Sequence, residues 1–192
     1  MAADPIARFH RWFADARRAR FKLPEAMALA TADAKGRPSV RMVLLKHADR
    51  DGFVFYTNAQ SRKGRELDAN PHAGLVFHWD RLGRQVRVDG RVQPVAVAEA
   101  DAYWATRPRA SQLAALASEQ SAPIATRAEL MARWRDLVRK YRGADVPRPR
   151  RWTGYRVVPT SIEFWTHRDH RLHDRELFTR TPRGWKQTRL QP

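Results

Sequence analysis

The stretch "RQVRVDGRVQPV", Arg84 to Val95, decides the fold. Val86, Val88 and Val92 fall on one side of an extended chain, and Gln85, Arg87, Asp89 and Arg91 on the other. A period of two marks a strand with one face on a core and the other outside it. Similar runs flank it. Upstream are "AMALAT" (26–31) and "SVRMVLLK" (39–46), joined by the turn "ADAKGRP", then "GFVFYTN" (52–58) after the hairpin signal "HADRDG", and "HAGLVFHW" (72–79). Downstream are "GYRVVP" (154–159), "SIEFWTH" (161–167), "RLHDRELFTR" (171–180) and "GWKQTRL" (184–190), the last two linked by "TPRG".

Helical patterns punctuate these strands. Ile6, Phe9, Phe13 and Ala16 give an amphipathic helix over about 5–19. A short helix over "SRKGRELDAN" (61–70) stops at Pro71. A helical insert spans about 98–143: "AEADAYWATR" ends near Pro108, and "TRAELMARWRDLVRKYRG" opens with the capping box Thr126/Glu129 and closes at Gly143. Strands with short hairpin connections, then helices, then strands again (about 154–192) predict an α+β fold, mainly antiparallel, with helices packed around a sheet or barrel. The length of 192 residues suits a single domain over 1–192. Alternating βαβ units, GxGxxG and a Walker loop are all missing.

Composition narrows the function classes. With no cysteine, disulfides, iron–sulfur clusters and thiolate zinc are excluded, and a reducing cytoplasm is the expected compartment. The N-terminal stretch carries charges throughout, unlike a secretory signal, and no apolar run approaches the ~20 residues of a membrane span. Lys and Arg number 37 against 20 Asp and Glu, a net charge of +17. That excess favours anionic partners such as nucleic acid, phosphorylated small molecules or acidic lipid, or is simply a basic surface.

Four stretches bear on chemistry. In "SRKGREL" a helix starting at Ser61 puts Arg62 and Lys63 in its first turn, against the helix dipole. An anion held by the free N–H groups and both cations resolves that conflict. In "RMVLLK" the cations Arg41 and Lys46 lie on opposite faces of an apolar strand. In "AYWATRPRASQ", Tyr103, Arg107 and Ser111 recur every four residues and together offer a phosphate-binding set, although Pro108 breaks a continuous helix and lets Ser111 start a new turn. In "HRLHDREL" a strand reading places Arg171, His173 and Arg175 on one face and turns His170 away from His173, which argues against a chelated metal. No nucleophile motif is present.

Taken together, "RMVLLK", "FVFYTN", "SRKGREL", "RQVRVDG", "TRPRASQ", "EQS", "IEFW" and "RLHDR" resemble the pyridoxine (pyridoxamine) 5′-phosphate oxidase family, from about Phe9 to Pro192. The resemblance implies an FMN-binding split β-barrel with flanking helices, a homodimer with FMN at the subunit interface, and no metal, nucleic-acid or membrane partner. It implies that Arg41, Met42, Val43, Leu44, Leu45, Lys46, Tyr56, Thr57, Arg62 and Lys63 contact FMN, the last two near its phosphate. Gln85, Gln120, Ser121, Trp165 and Arg175 match further FMN contacts, some from the partner subunit. Lys46, Tyr103, Arg107 and Ser111 match the cradle for the substrate phosphate, and Arg171 and His173 match residues against the pyridine ring, where they carry the catalytic role. The implied reaction is oxidation of pyridoxine 5′-phosphate or pyridoxamine 5′-phosphate to pyridoxal 5′-phosphate, with O2 reduced to hydrogen peroxide. Family members carry an N-terminal arm that folds toward substrate; here a few residues precede the first helix, so weaker closure is expected. The competing readings are a phenazine-type oxidase of the same fold and, in another class, a basic nucleic-acid-binding protein.

Overall fold

The computed structural model describes residues 4–192. Helix α1 (Pro5–Arg18) starts where Asp4 accepts the Ile6 N–H at 2.9 Å and Pro5 presets the first turn. It buries Ile6, Phe9, Trp12 and Ala16, while Phe13 is half-buried. Phe9 meets Phe53 edge-on at 4.9 Å and Trp12 meets Phe164 at 5.1 Å, so the helix caps an aromatic core.

That core is enclosed by a nine-stranded antiparallel sheet. Its strands are β1 (Ala26–Ala32), β2 (Pro38–Leu44), β3 (His47–Asp49), β4 (Gly52–Asn58), β5 (His72–Trp79), β6 (Arg84–Pro94), β7 (Trp152–Thr166), β8 (Asp174–Thr181) and β9 (Gly184–Leu190). The order is β2-β1-β5-β6-β7-β4-β3, with β8 pairing β7 and β9. The alternation in 84–95 holds: Val86, Val88 and Val92 are buried, and Arg87, Asp89 and Arg91 are exposed. The α+β expectation, with a curled antiparallel sheet flanked by helices, is met.

Three expected boundaries move. The two strands 154–159 and 161–167 are one strand, β7. Its first half pairs β4 and its second half pairs β8, while β6 runs along its other edge from Tyr155 to Thr166. A register shift between Asp89 and Gly90 leaves Thr160 as the extra residue and puts Pro159 opposite Gly90, and a proline without an N–H is tolerated beside such a bulge. A Cβ on Gly90 would lie 2.2 Å from the Val158 carbonyl oxygen, so only glycine allows this approach. The strand 39–46 ends at Leu44; Lys46 lies in the connection, its N–H donating to Val54 O at 2.8 Å. The strand 171–180 begins only at Asp174, because His170 and Arg171 adopt left-handed backbone (φ 56° and 63°) in a 3-10 turn closed by Leu172 N–H on Asp169 O. Arg171, His173 and Arg175 therefore do not share a strand face.

The insert holds α3 (Val97–Ala105), α4 (Arg109–Ala117) and α5 (Arg127–Lys140). Pro108 precedes α4 as its cap, so the helix breaks there as expected and Ser111 lies in the first turn of a new one that starts at Arg109. Thr126 caps α5 through the Glu129 N–H (3.2 Å), but the Glu129 carboxylate turns to Arg133 instead of completing the box. No helix among the described residues is long and apolar enough to cross a membrane.

Helix α2 (Arg62–Ala69) begins at Ser61, whose hydroxyl accepts the Gly64 N–H at 3.4 Å. It packs so closely on the preceding turn that a Cβ at Gly64 would sit 2.0 Å from the Ala59 carbonyl oxygen. We predict that Gly64→Ala destabilises the protein despite alanine's better helix propensity, by about 1–3 kcal/mol as overpacking does. Differential scanning calorimetry should show a midpoint lower by several degrees, at roughly 2–4 °C per kcal/mol. An unchanged or higher midpoint would mean that α2 is free to shift.

Candidate active site

The end of β2, the middle of β4, α2 and the helical insert converge on a cleft of about 600 Å³. Met42, Val43, Leu44 and Lys46 line one side, Tyr56, Thr57 and Lys63 another, and Tyr103, Arg107, Ser111 and Gln120 come from the insert. Three of the four stretches singled out in the sequence, those holding Lys46, Lys63 and Arg107, thus meet in one place beside β4, whereas the stretch 170–177 does not join them. Leu45 does not line the cleft; it is a core residue, 6% exposed.

Lys63 is the most constrained cation there, 8% exposed. Its ammonium donates to Gln120 Oε1 (2.8 Å), Thr57 Oγ1 (3.2 Å) and Ser61 Oγ (3.4 Å), all neutral groups. Burial, then the nearby Arg41 charge, pushes its pKa below the usual lysine value, only partly offset by Glu66. A buried cation with neutral partners is set to gain from an anion.

Arg62 does not share that situation. The expectation of two unpartnered cations at the α2 start fails for it, because its Nε donates to Glu66 Oε1 at 2.8 Å. Glu66 is 5% exposed and is the hub of a network joining β1, β2 and α2. Its other oxygen accepts from Thr31, from Ser39 (2.6 Å) and from Arg41 Nη2 (3.1 Å). Arg41 also donates to Thr31, Ser39 and Leu29 O. Burial alone would raise the Glu66 pKa, but these hydrogen bonds outweigh it and hold the carboxyl at about 2.

The insert side of the cleft is aromatic. Tyr56 stacks on Tyr103 (4.1 Å between centroids, 15° between planes) and on Trp152 (5.1 Å, 8°). Tyr56 lies over Gly154, where a Cβ would come within 2.7 Å of its ring. Burial first, and then the Glu99 carboxylate, push the Tyr56 hydroxyl up to about 12, so it stays protonated. Arg107 places its guanidinium 4.8 Å from the Trp152 ring centroid, and burial lowers its pKa from the ordinary arginine value.

The remaining expected residues gather elsewhere. Gln85 pairs with Trp165 across β6 and β7, and Trp165 with Arg175 across β7 and β8. His173 packs on Trp165 at 4.5 Å and accepts the Arg168 N–H at its Nδ1 (3.2 Å). Arg175 is held by Glu163 through two hydrogen bonds of 2.7 and 3.1 Å. Arg171 is exposed and has no ion-pair partner among the described residues. Ser121, at φ 73°, lines a small side hollow rather than the main cleft. The two groups sit at opposite ends of β7: Tyr56 is opposite residue 154, and Arg175 is opposite residue 165. At about 3.3 Å per residue that interval is roughly 35 Å along the strand.

Comparison with known proteins fits both halves. Residues 13–134 match the family model described as pyridoxamine 5′-phosphate oxidase. The chain belongs to the pyridoxamine 5′-phosphate oxidase family. Residues 152–192 match the model described as the pyridoxine 5′-phosphate oxidase C-terminal dimerisation region, which contains Trp165, Arg171, His173 and Arg175. A curated relative from Sphingopyxis alaskensis named pyridoxine/pyridoxamine 5′-phosphate oxidase is 56% identical over all of this chain and 89% of its own length. One of the same name from Gluconobacter oxydans is 53% identical, covering 96% of its length. Among solved structures, PhzG from Burkholderia lata 383, in complex with tetrahydrophenazine-1-carboxylic acid, aligns with TM-score 0.93 at 38% identity, covering 98% of this chain and 93% of that one. A pyridoxamine 5′-phosphate oxidase-related, FMN-binding protein from Nostoc punctiforme shares the fold at TM-score 0.80 and 16% identity.

Sequence reasoning missed Glu66 and Trp152. The only signal for Glu66 was its spacing of four from Arg62. Because the Glu66 pKa is depressed from 4.5 to about 2, its contribution to stability is full above pH 4.5 and is lost as pH falls toward 2. That contribution is on the order of 3 kcal/mol. Urea denaturation of wild type and Glu66→Gln from pH 7 to pH 2.5 should show a stability gap that narrows below pH 4.5. A gap independent of pH would mean that the carboxylate's charge contributes nothing.

Proposed function

We propose that this protein oxidises pyridoxine 5′-phosphate and pyridoxamine 5′-phosphate to pyridoxal 5′-phosphate, using FMN and O2, as a cytoplasmic homodimer that acts as one domain per chain. The observation that carries the reading is Lys63: a buried cation with neutral partners, in the same cleft as Lys46, Arg107 and Ser111. One cleft that offers anion-binding groups at two stations suits two phosphates, that of FMN and that of the substrate. The names of the relatives at 53–56% identity supply the substrate class.

The residues present fit FMN. Lys63, Thr57 and Gln120 form a cationic and hydroxyl-bearing station for its phosphate, and Met42, Val43 and Leu44 give apolar backing beside it. Bound there, FMN would supply the two-electron redox chemistry, with O2 as the final acceptor giving hydrogen peroxide and water as the reactant that frees ammonia from the amine substrate. The protein's own tasks are binding, orientation and charge stabilisation. Lys46, Tyr103, Arg107 and Ser111 take the substrate phosphate. Arg171, exposed and unpaired in a left-handed turn, and His173, fixed against Trp165, hold the pyridine ring and stabilise charge that develops on it.

The roughly 35 Å between the two groups along β7 supports a shared site, in which the dimerisation region of one chain completes the cleft of the other. Val40 and Met42, 69% and 64% exposed on β2, are an apolar surface for that contact.

Three measurements test the reading. Lys63→Met should weaken FMN by at least tenfold and leave riboflavin affinity unchanged, since a charged hydrogen bond contributes about 1.5–3 kcal/mol. Equal losses for both flavins in a fluorescence titration would remove the phosphate from this station. Arg171→Ala should keep FMN and lower kcat/KM by roughly 10- to 100-fold; normal turnover would exclude Arg171 from the site. Arg175→Ala is less clean, because it strips Glu163 of its main partner in the interior. Dilution to monomer should release FMN, and a monomer by light scattering that retains stoichiometric flavin would overturn the shared site.

A further inference from the structure

Trp152 lines the cleft without a polar contact through its side chain, and it touches two of the four residues proposed to seat the substrate phosphate, Tyr103 and Arg107. Its ring, 6% exposed, lies nearly parallel to Tyr103 (6.1 Å, 7°) and to the Tyr56 ring that stacks on Tyr103. The Arg107 guanidinium sits 4.8 Å from its centroid, and Trp104 meets its ring at 4.9 Å and 68°. The indole is itself pinned, because Trp152 pairs with Asn58 at the first step of β7 and its carbonyl accepts from Arg148 at 2.7 Å. The Arg107 side chain has two other ties, to the Ser111 carbonyl at 3.2 Å and to the Trp104 ring, whose centroid lies 5.2 Å from its guanidinium carbon.

We propose that Trp152 is a positioning residue for substrate phosphate: it holds the Arg107 fork and the Tyr103 ring in register and acts on the phosphate through them. The physical case is that a guanidinium on a long stem loses rotamer freedom when it grips an anion. A buried indole face restrains the arginine beforehand, because a desolvated aromatic face attracts a cation and leaves its N–H donors free at the edge. Trp152 is joined to the sheet through β7 and to the insert through Trp104, so it also keeps α3 and α4 in place relative to β4. The inference rests on the reading of this cleft as the site for a phosphorylated substrate.

The test is a double-mutant cycle on the FMN-loaded enzyme. Trp152→Phe keeps a ring and the fold but offers a smaller, weaker cation-binding face. It should raise KM for pyridoxine 5′-phosphate by about threefold or more, with kcat and FMN affinity each within about twofold of wild type. In an Arg107→Ala background the same change should raise KM by a clearly smaller factor than in wild type, since one of the two groups it acts through is gone. An unchanged KM, a fall in kcat, a loss of FMN, or additive effects in the cycle would each overturn the assignment. The same four proteins titrated with inorganic phosphate give the cycle a readout without turnover. If wild type fails to oxidise the substrate but the phosphate cycle is non-additive, the functional reading falls and the role of Trp152 stands.

Discussion

The close approach of β6 to β7 at Gly90 is the constraint on which the rest of the molecule depends. Strand β7 has to pair with β6 along one edge and with two different strands along the other, β4 first and then β8. Such a change of partner needs a local change of direction, and the bulge opposite Asp89 and Gly90 supplies it. Gly90 permits it because any side chain would run into the Val158 carbonyl. Everything functional is hung from the two halves so created. The first half carries Trp152 and, through β4, Tyr56 and Thr57; the second carries Trp165 and, through β8, Arg175.

Much of this was legible in the sequence, for a physical reason. A strand half-buried on one face shows its period directly, and 84–95 did so; helix caps such as Ser61 and the proline before α4 are local chemistry and also read correctly. What failed was set by distant parts of the chain. The left-handed turn at His170 and Arg171 breaks a run whose composition suits a strand, and nothing in its neighbours announces it. The fusion of two strands into β7 depends on partners elsewhere in the chain. Glu66 was not singled out at all, because its contacts with Thr31, Ser39 and Arg41 cross between elements. Trp152 was not singled out either; it is a core residue whose place beside the cleft shows only once Tyr56, Tyr103 and Arg107 are seen around it.

The net charge of +17 proved a poor guide to the site. Several of the better-buried arginines are already tied to carboxylates: Arg8 to Glu176, Arg84 to Asp15, Arg156 to Asp49 and Arg175 to Glu163. They fasten helix to sheet or strand to strand. The cations that distinguish the cleft are those without a carboxylate in hydrogen-bond reach, Lys63 and Arg107 among them. A count of basic residues cannot separate these two populations, whereas the identity of each residue's partner does.

The separation of the two groups along β7 has a genetic consequence. If each cleft is finished by the other chain, then a defect in Lys63 and a defect in Arg171 belong to the same site only when they come from different chains. In a hybrid of two inactive proteins, one altered at each position, one of the two sites collects both defects and the other collects neither. Two null alleles of that kind complement each other in one cell, while two alleles altered within the same half do not. Mixing the purified inactive proteins, so that half of the dimers re-form as hybrids with one intact site each, and measuring whether turnover returns toward a quarter of normal would show it in a test tube.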